Sequence, residues 1–553
     1  MAIFHLFAAF LAAWLTARGA EKYMSLRAAS RGFGTCPNAG LVWLHPFRTV
    51  ALILAPWFPL KDQTGYYFAK FAFYAKYGST CISSVTLSGS IPTLWIADAQ
   101  AIKTVASEST IFQKDVEAYE ALNIYGQNMV GTEGADWKRH RRVANPAFND
   151  QRIRLDRDSA RRKRVVEEMN TKLNTDSSLT IDATEDLVQV TLLVIASAGF
   201  GRRASWQEDS AGAPPPGHTR AFRAAVSSAL ARLFTRVLTP QWVWALSTRV
   251  RLPLLGPALV ETRESFDALR AHMLDLISLA RAWVVGGKVG AWTRALRNLV
   301  EANMTQADDV HHKKLTDDEL LSNIFTFLLA GHETSAHSLS FAVAMLALYP
   351  TSNRHIRRDA QGLADGCPTP PRLRPTRNTC PSCNTRSQHS KKQSASSRPS
   401  RGSARSRTPT APDRAPLRPG RTGDIRGATP FTVPVKQGSI VVIDILALHM
   451  NPMYWGADAA EFKPARFIDT EGYRWPRDAF FAFSGGARSC IGQRFALAES
   501  VCALAMIVRS YTVCLPDHLQ GKPLEEQKRV LLRWKPGVTI TPTDCVVRLR
   551  RRT

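Results

Sequence analysis

A mainly helical fold with small β-sheets, arranged around one long central helix at about residues 316–349, is predicted from three observations. Thr316-Asp-Asp-Glu319 is a capping box with an acidic first turn, the local signature of a helix start. From Leu320 through Ile324, Phe327 and Leu328 the apolar residues continue without a breaker to about Tyr349, where Pro350 stops the helix. A helix this long, and apolar on nearly all sides, belongs in the interior of a large domain. Long helical patterns dominate from Ile181 to Tyr349, whereas strand-like runs are short. Val85-Thr-Leu followed by Thr93-Leu-Trp-Ile reads as a hairpin, and Val433 to Ser439 leads into a strand at Ile440–Ile445.

The 553-residue chain has ample material for a core, with an ordinary apolar content of 45%. Its net charge of +26 is not ordinary, and part of it is local. Residues 361–430 hold 14 Lys/Arg against 3 Asp and no Glu, a net of +11, with 11 of the 32 prolines and no Phe, Trp, Tyr, Val or Met. Such a composition cannot build a core and reads as disordered. A basic protein binding nucleic acid through this stretch would need interleaved aromatics or a binding motif; it has neither, so no nucleic-acid partner is expected. The nine cysteines are odd in number and scattered, which suits a reducing compartment better than a disulfide framework. One CxxC, Cys380 and Cys383, has no companion pair and is weak evidence for zinc.

Residues 1–60 read as a membrane anchor or interfacial segment preceding one large domain over 61–553. Ala2–Ala17 carries no Asp, Glu, Lys or Arg and is rich in Phe, Leu, Ala and Trp, slightly short of the roughly 20 residues that span a bilayer. Leu41–Leu60 is also apolar, but Pro46, Pro56, Pro59 and Arg48 interrupt it, a pattern suited to lying in the interface.

The residues that carry chemistry fall in two places. Phe483-Ser-Gly-Gly486-Ala-Arg488-Ser-Cys490-Ile-Gly492 puts a cysteine at the end of a glycine-rich loop and at the start of a predicted helix. Glycines allow tight turns beside a ligand, and a helix N-terminus favours an anionic sulfur. Arg488 can pair with an acidic cofactor edge. Within the long helix, Ala330-Gly331-His332-Glu333-Thr334-Ser335 places a glycine, an acid and a hydroxyl amid apolar turns, where Glu is costly alone. The glycine gives room for a small ligand or a helix distortion, and Glu333 and Thr334 could relay protons. A metalloprotease reading of His332-Glu333 and His337 fails, because five residues turn about 500° and the two histidines leave the shared face that HExxH requires.

At these residues the sequence resembles the cytochrome P-450 family: Phe483, Gly486, Arg488, Cys490 and Gly492 match its haem-binding signature, and Ala330–Thr334 its oxygen-activation motif. Trp137-Lys-Arg-His-Arg141 is similar to the WxxxR element, and Phe462-Lys-Pro464-Ala-Arg466-Phe467 to the meander before the haem loop. The resemblance implies the cytochrome P-450 fold, with haem b between the long helix and the Cys490 loop. It implies Cys490 as axial iron ligand, Arg488, Trp137 and Arg141 as propionate partners, and Phe483 as a shield beside the sulfur. Gly486, Gly492, Ala330 and Gly331 would line the cofactor, with Glu333 and Thr334 catalytic. A thiolate ligand pushes electron density onto the iron and favours O–O cleavage. The implied reaction inserts one oxygen atom of O2 into a lipophilic substrate, with electrons from NADPH-cytochrome P-450 reductase. The runs Asp115-Val-Glu-Ala-Tyr-Glu and Trp475-Pro-Arg-Asp-Ala-Phe resemble fungal members. A place on the endoplasmic reticulum membrane, catalytic domain in the cytosol, would follow.

One element of the family is missing. Its members carry a Glu-x-x-Arg pair, on a helix before the meander, that locks onto the meander arginine, here Arg466. No Glu occurs between Thr334 and Phe431. Residues 361–430 are therefore read as translated out of frame, with 151–164 a smaller case, and an inactive or degraded family member is the alternative reading.

Overall fold

The computed structural model describes residues 2–30, 33, 36–43, 70–86, 90–148, 178–200, 214–247, 256–286, 294–305, 314–350, 414–417, 431–536 and 539–552. Residues 44–60, 151–164, Cys380, Cys383 and all of 361–430 except Arg414–Leu417 lie outside them. The chain divides into two compact units. One comprises residues 1–118, 389–461 and 474–490, the other residues 119–388, 462–473 and 491–553.

The first unit is built on a mixed four-stranded sheet, in the order Asn38–Trp43, Cys81–Thr86, Pro92–Ile96, Ile440–Ile443. The predicted hairpin is its centre, antiparallel with Cys81 opposite Ile96 and Val85 opposite Pro92. Ile440–Ile443 adds in parallel beside it. Trp95, 1% exposed, packs with Tyr74, Ile82 and Val442, and its indole nitrogen donates to the Ser84 hydroxyl at 2.7 Å. The strand expected to reach Ile445 stops at Ile443. Asp444 ends it by accepting from the Ala447 amide at 3.0 Å, which caps the short helix Ile445–His449, while its other oxygen accepts from the Tyr74 hydroxyl at 3.2 Å. Val433–Lys436 pairs antiparallel with Arg414–Leu417, the one described stretch of the basic segment. At the N-terminus the charge-free run continues as a helix to Ser30. Among the described residues no helix is long and apolar enough to cross a membrane.

The second unit is organised by the helix Asp317–Leu348, 32 residues long. Both halves of the predicted capping box are present: the Thr316 hydroxyl accepts from the Glu319 amide, and the Glu319 carboxylate accepts from the Thr316 amide. Its main neighbour is the helix Ala183–Val194, and Gly256–Val285 and Gln493–Ser510 also pack on it. A three-stranded antiparallel sheet of Ser178–Asp182, Val546–Arg551 and Tyr511–Cys514 completes the unit, with Val546–Arg551 in the middle. Phe325 lies at the heart of the core, 1% exposed. Its ring meets Tyr125 edge-on at 5.4 Å and Phe266 at 6.3 Å. Replacing Phe325 by Ala removes these contacts and leaves a cavity, so a loss of about 3–5 kcal/mol in denaturant unfolding is expected. A change below about 1 kcal/mol would show that this cluster is not the core of the unit.

Candidate active site

The Cys490 loop closes the first unit. His449 holds its entry: the Phe481 amide donates to His449 Nε2 at 2.9 Å, and the imidazole stacks on Phe480 at 5.6 Å. Burial brings the His449 pKa down to about 3, which keeps the ring neutral and able to accept. Ser484 takes a left-handed backbone at φ 60°, and Gly486 follows at φ 62°. Gly486 is required twice over, by its φ and because a Cβ there would run into the Ala106 carbonyl. A Cβ on Gly485 would strike the Phe481 ring. After the single turn Gly486–Arg488, the Cys490 amide donates to the Phe483 carbonyl at 2.8 Å and closes the loop. That amide is therefore engaged rather than left for the sulfur. Phe483 is buried and lies 6.5 Å from the Phe480 ring. Cys490 itself is partly exposed.

The helix expected from Cys490 begins instead at Gln493, with Gly492 in the capping position and no side chain capping it. Cys490 thus precedes the helix N-terminus rather than forming part of it. A Cβ on Gly492 would meet only open space. Along this helix Phe495, Leu497 and Val501 are half-buried although apolar.

The oxygen-type motif lies in the second unit and splits between two faces. Gly331 approaches Ile195 so closely that a Cβ would press on its side chain at 3.1 Å. Thr191 donates its hydroxyl to the His332 carbonyl at 3.0 Å, and His332 Nδ1 donates to the Leu328 carbonyl at 2.7 Å. This face pins the long helix to its neighbour. Ala330, Glu333 and Thr334 occupy the other face, within an arc of about 100°. Residues 320–329 and 335–348 are buried, so these positions form a window in an otherwise covered helix. Within it the Thr334 hydroxyl donates to the Ala330 carbonyl at 2.7 Å, and Ser338 donates to the Thr334 carbonyl at 2.8 Å. Desolvation raises the Glu333 carboxyl to about 7, whereas burial lowers His332 to about 4.

Trp137 and Arg141, one helical turn apart, are half-buried on the helix Gly134–Ala144 of the second unit. The meander residues Pro464–Phe467 form a short 3-10 turn between buried Phe462 and Phe467. His337, second member of the metalloprotease reading, is buried and bonded to Thr539 at 2.5 Å. Among the described residues no three His, Cys, Asp or Glu side chains converge on a metal position. Sequence reasoning missed His449; its only local signal is a lone histidine at the end of a short apolar helix.

With this geometry in place, comparison with known proteins is direct. The cytochrome P450 family model matches residues 48–369 and 425–541. The match runs through 151–164, which the sequence read alone marks as a smaller out-of-frame stretch, and breaks at 370–424 inside the basic segment. Cytochrome P450 monooxygenase 124 of Postia placenta is 31% identical over 501 residues, covering 87% of each chain. Cytochrome P450 monooxygenase prx9 of Penicillium rubens is 25% identical over 469 residues, covering 78% of this chain and 76% of its own. The phomenoic acid biosynthesis cluster cytochrome P450 monooxygenase of Leptosphaeria maculans is 23% identical over 473 residues, with 79% and 76% covered. The chain belongs to the cytochrome P450 family, and its relatives are fungal monooxygenases.

A haem-thiolate group is what this family implies, and the residues present fit one. In the first unit a single cysteine ends a loop in which a Cβ on Gly486 would run into the Ala106 carbonyl and one on Gly485 would press on the Phe481 ring; in the second unit, taken by itself, a Cβ on Gly492 would meet open space and the long helix bares a window at its motif. One cysteine sulfur is what such a group would take from the chain as its protein ligand.

Because the folded-state carboxyl of Glu333 is raised from an ordinary value of 4.5 to about 7, its protonated form favours folding. That contribution is present at low pH and is lost as pH rises toward 7. Glu333→Gln should therefore gain melting temperature over wild type progressively between about pH 5 and pH 7, then level off. A pH-independent difference would show that Glu333 is not desolvated.

Proposed function

We propose that this protein is a haem b monooxygenase that inserts one oxygen atom of O2 into a lipophilic substrate. The intact Cys490 loop carries the reading. Cys490 would hold the iron, Arg488, Trp137 and Arg141 the propionates, and bound haem supplies O2 activation, with the thiolate favouring O–O cleavage. The chain's own part is positional. His449 and the glycines fix the loop that presents the sulfur. Glu333, with a pKa of about 7, can hold or release a proton near neutrality, and Thr334 offers a hydroxyl one residue on. A lipophilic substrate is supported by membership of the cytochrome P450 family. Two electrons per turnover would come from an NADPH-dependent cytochrome P450 reductase.

Attachment to the endoplasmic reticulum membrane, with the catalytic domain in the cytosol, is supported by the first helix. It exposes Phe10 at 70%, Leu11 at 43%, Trp14 at 49% and Leu15 at 55%, with Arg18 and Glu21 beyond them. Such a helix seats its apolar part in a bilayer or its interface. Deletion of residues 2–17 should move the protein from the membrane pellet to the supernatant on cell fractionation. Unchanged pelleting would remove this helix as the anchor.

A second reading has its own observation: the family match breaks at 370–424, and no Glu-x-x-Arg can be placed between Thr334 and Phe431. Loss of a core helix and its ion pair exceeds the few kcal/mol margin of a typical domain, which would leave a degraded family member. The other two frames of the coding DNA test this origin, and restoration of an apolar helix with Glu-x-x-Arg would assign 361–430 to a frame error. Function is tested on the chain as written. Reduced protein under carbon monoxide should show the red-shifted Soret band of thiolate-ligated haem, and Cys490→Ala should abolish it. An unshifted or absent band in the wild type rejects the monooxygenase reading in favour of the degraded one.

A further inference from the structure

The helix that carries Trp137 and Arg141 is gripped from its opposite side. At 100° per residue, Arg139 lies about half a turn from the edge shared by Trp137 and Arg141. Its guanidinium donates to both carboxylate oxygens of Glu319, at 2.6 and 2.7 Å, and a third bond reaches the Lys314 carbonyl at 3.2 Å. The pair is largely covered, with side chains 18% and 11% exposed. The next residue, His140, is fully buried, and its Nδ1 accepts from the Asn323 amide at 2.7 Å. The same amide group donates to the Glu319 carbonyl, and Asn323 Oδ1 accepts from the Met129 amide. Since Nδ1 accepts, His140 is neutral with its proton on Nε2, which lies 3.6 Å from Glu319. Burial, acting against ionisation, lowers its pKa to the same effect.

Glu319 therefore does more than cap the long helix. Burial alone would raise its carboxyl, but hydrogen bonds from Arg139 and the Thr316 amide bring it down to about 2, so it is charged at any working pH. A bidentate guanidinium–carboxylate pair fixes direction as well as distance, which a single-point ion pair does not. Capping needs only one carboxylate oxygen, on the Thr316 amide. The second oxygen, and the charge, serve Arg139.

We propose that Glu319 is a positioning residue for the cofactor: through Arg139 it sets the angle at which the Gly134–Ala144 helix presents Trp137 and Arg141. The proposal rests on the haem reading above. Glu319→Gln separates the two roles, because glutamine still serves in a capping box but does not pair with Arg139 as a charge. Transfer of haem from the full-length holoprotein to an apoglobin acceptor should be about 10-fold faster in Glu319→Gln and in Arg139→Ala, the scale for removing a partner that orients a ligand. The double variant should be no faster than either single one. Thr316→Ala should lower the melting temperature without speeding haem loss. Hydrogen exchange over residues 134–144 should accelerate in the first two variants and not in the third. Haem loss at the wild-type rate in Glu319→Gln, or an equal effect from Thr316→Ala, overturns the proposal. If the wild-type chain takes up no haem, the monooxygenase reading fails by itself. The exchange measurement then decides between a helix set by Glu319 and one indifferent to it.

Discussion

A helix of 32 residues with almost no free face has no solvent to satisfy its polar side chains, and the second unit is arranged around meeting that demand. Nearly every hydroxyl, amide and imidazole on Asp317–Leu348 is answered by its own backbone or by another element. Ser322 donates to the Gly126 carbonyl, Asn323 joins Met129 and His140, His337 meets Thr539, and Ser340 reaches the Ala183 carbonyl. Each bond ties a different part of the chain to the same rod. The loop at 122–132, the helix bearing Trp137, the start of Ala183–Val194 and Thr539, just before the strand Ile540–Pro542, are registered against it. At the window of Ala330, Glu333 and Thr334 the Glu333 carboxyl is still largely desolvated, which pushes it to about 7.

What could be read in the sequence was local. Thr316 and Glu319 announce the helix start because capping partners lie three residues apart, and Pro350 announces its end. The Cys490 loop is legible because its glycines, arginine and cysteine keep fixed spacing. The hairpin around Val85 and Thr93 follows from alternation and proximity. Where a boundary is set by a distant partner, the sequence is silent. Asp444 ends its strand early with help from Tyr74, 370 residues away along the chain. The role of His449 depends on Phe481, and that of His140 on Asn323, 183 residues further on. The start of the last long helix at Gln493 rather than Cys490 has a nearer cause, since the loop closes on the Phe483 carbonyl before the helix begins.

The two interruptions in family resemblance have different standing. Residues 151–164 carry an arginine-rich run that looks foreign by composition, yet the family model passes through them. The basic segment is another matter. Without Glu, Phe, Tyr, Trp, Val or Met it can supply neither the missing ion pair nor a packing face, and the family model stops within it.

The tightness of the cysteine loop limits which residues can stand in it. Gly486 tolerates no other residue, since any Cβ collides with the Ala106 carbonyl, and Gly485 is nearly as confined. Positions of this kind leave little room for replacement, because a side chain there meets a neighbouring carbonyl or ring. Both glycines stand, as do Phe483, Arg488, Cys490 and the window residues. Every one of these residues lies within the stretches that the family model matches, and none in the unmatched 370–424.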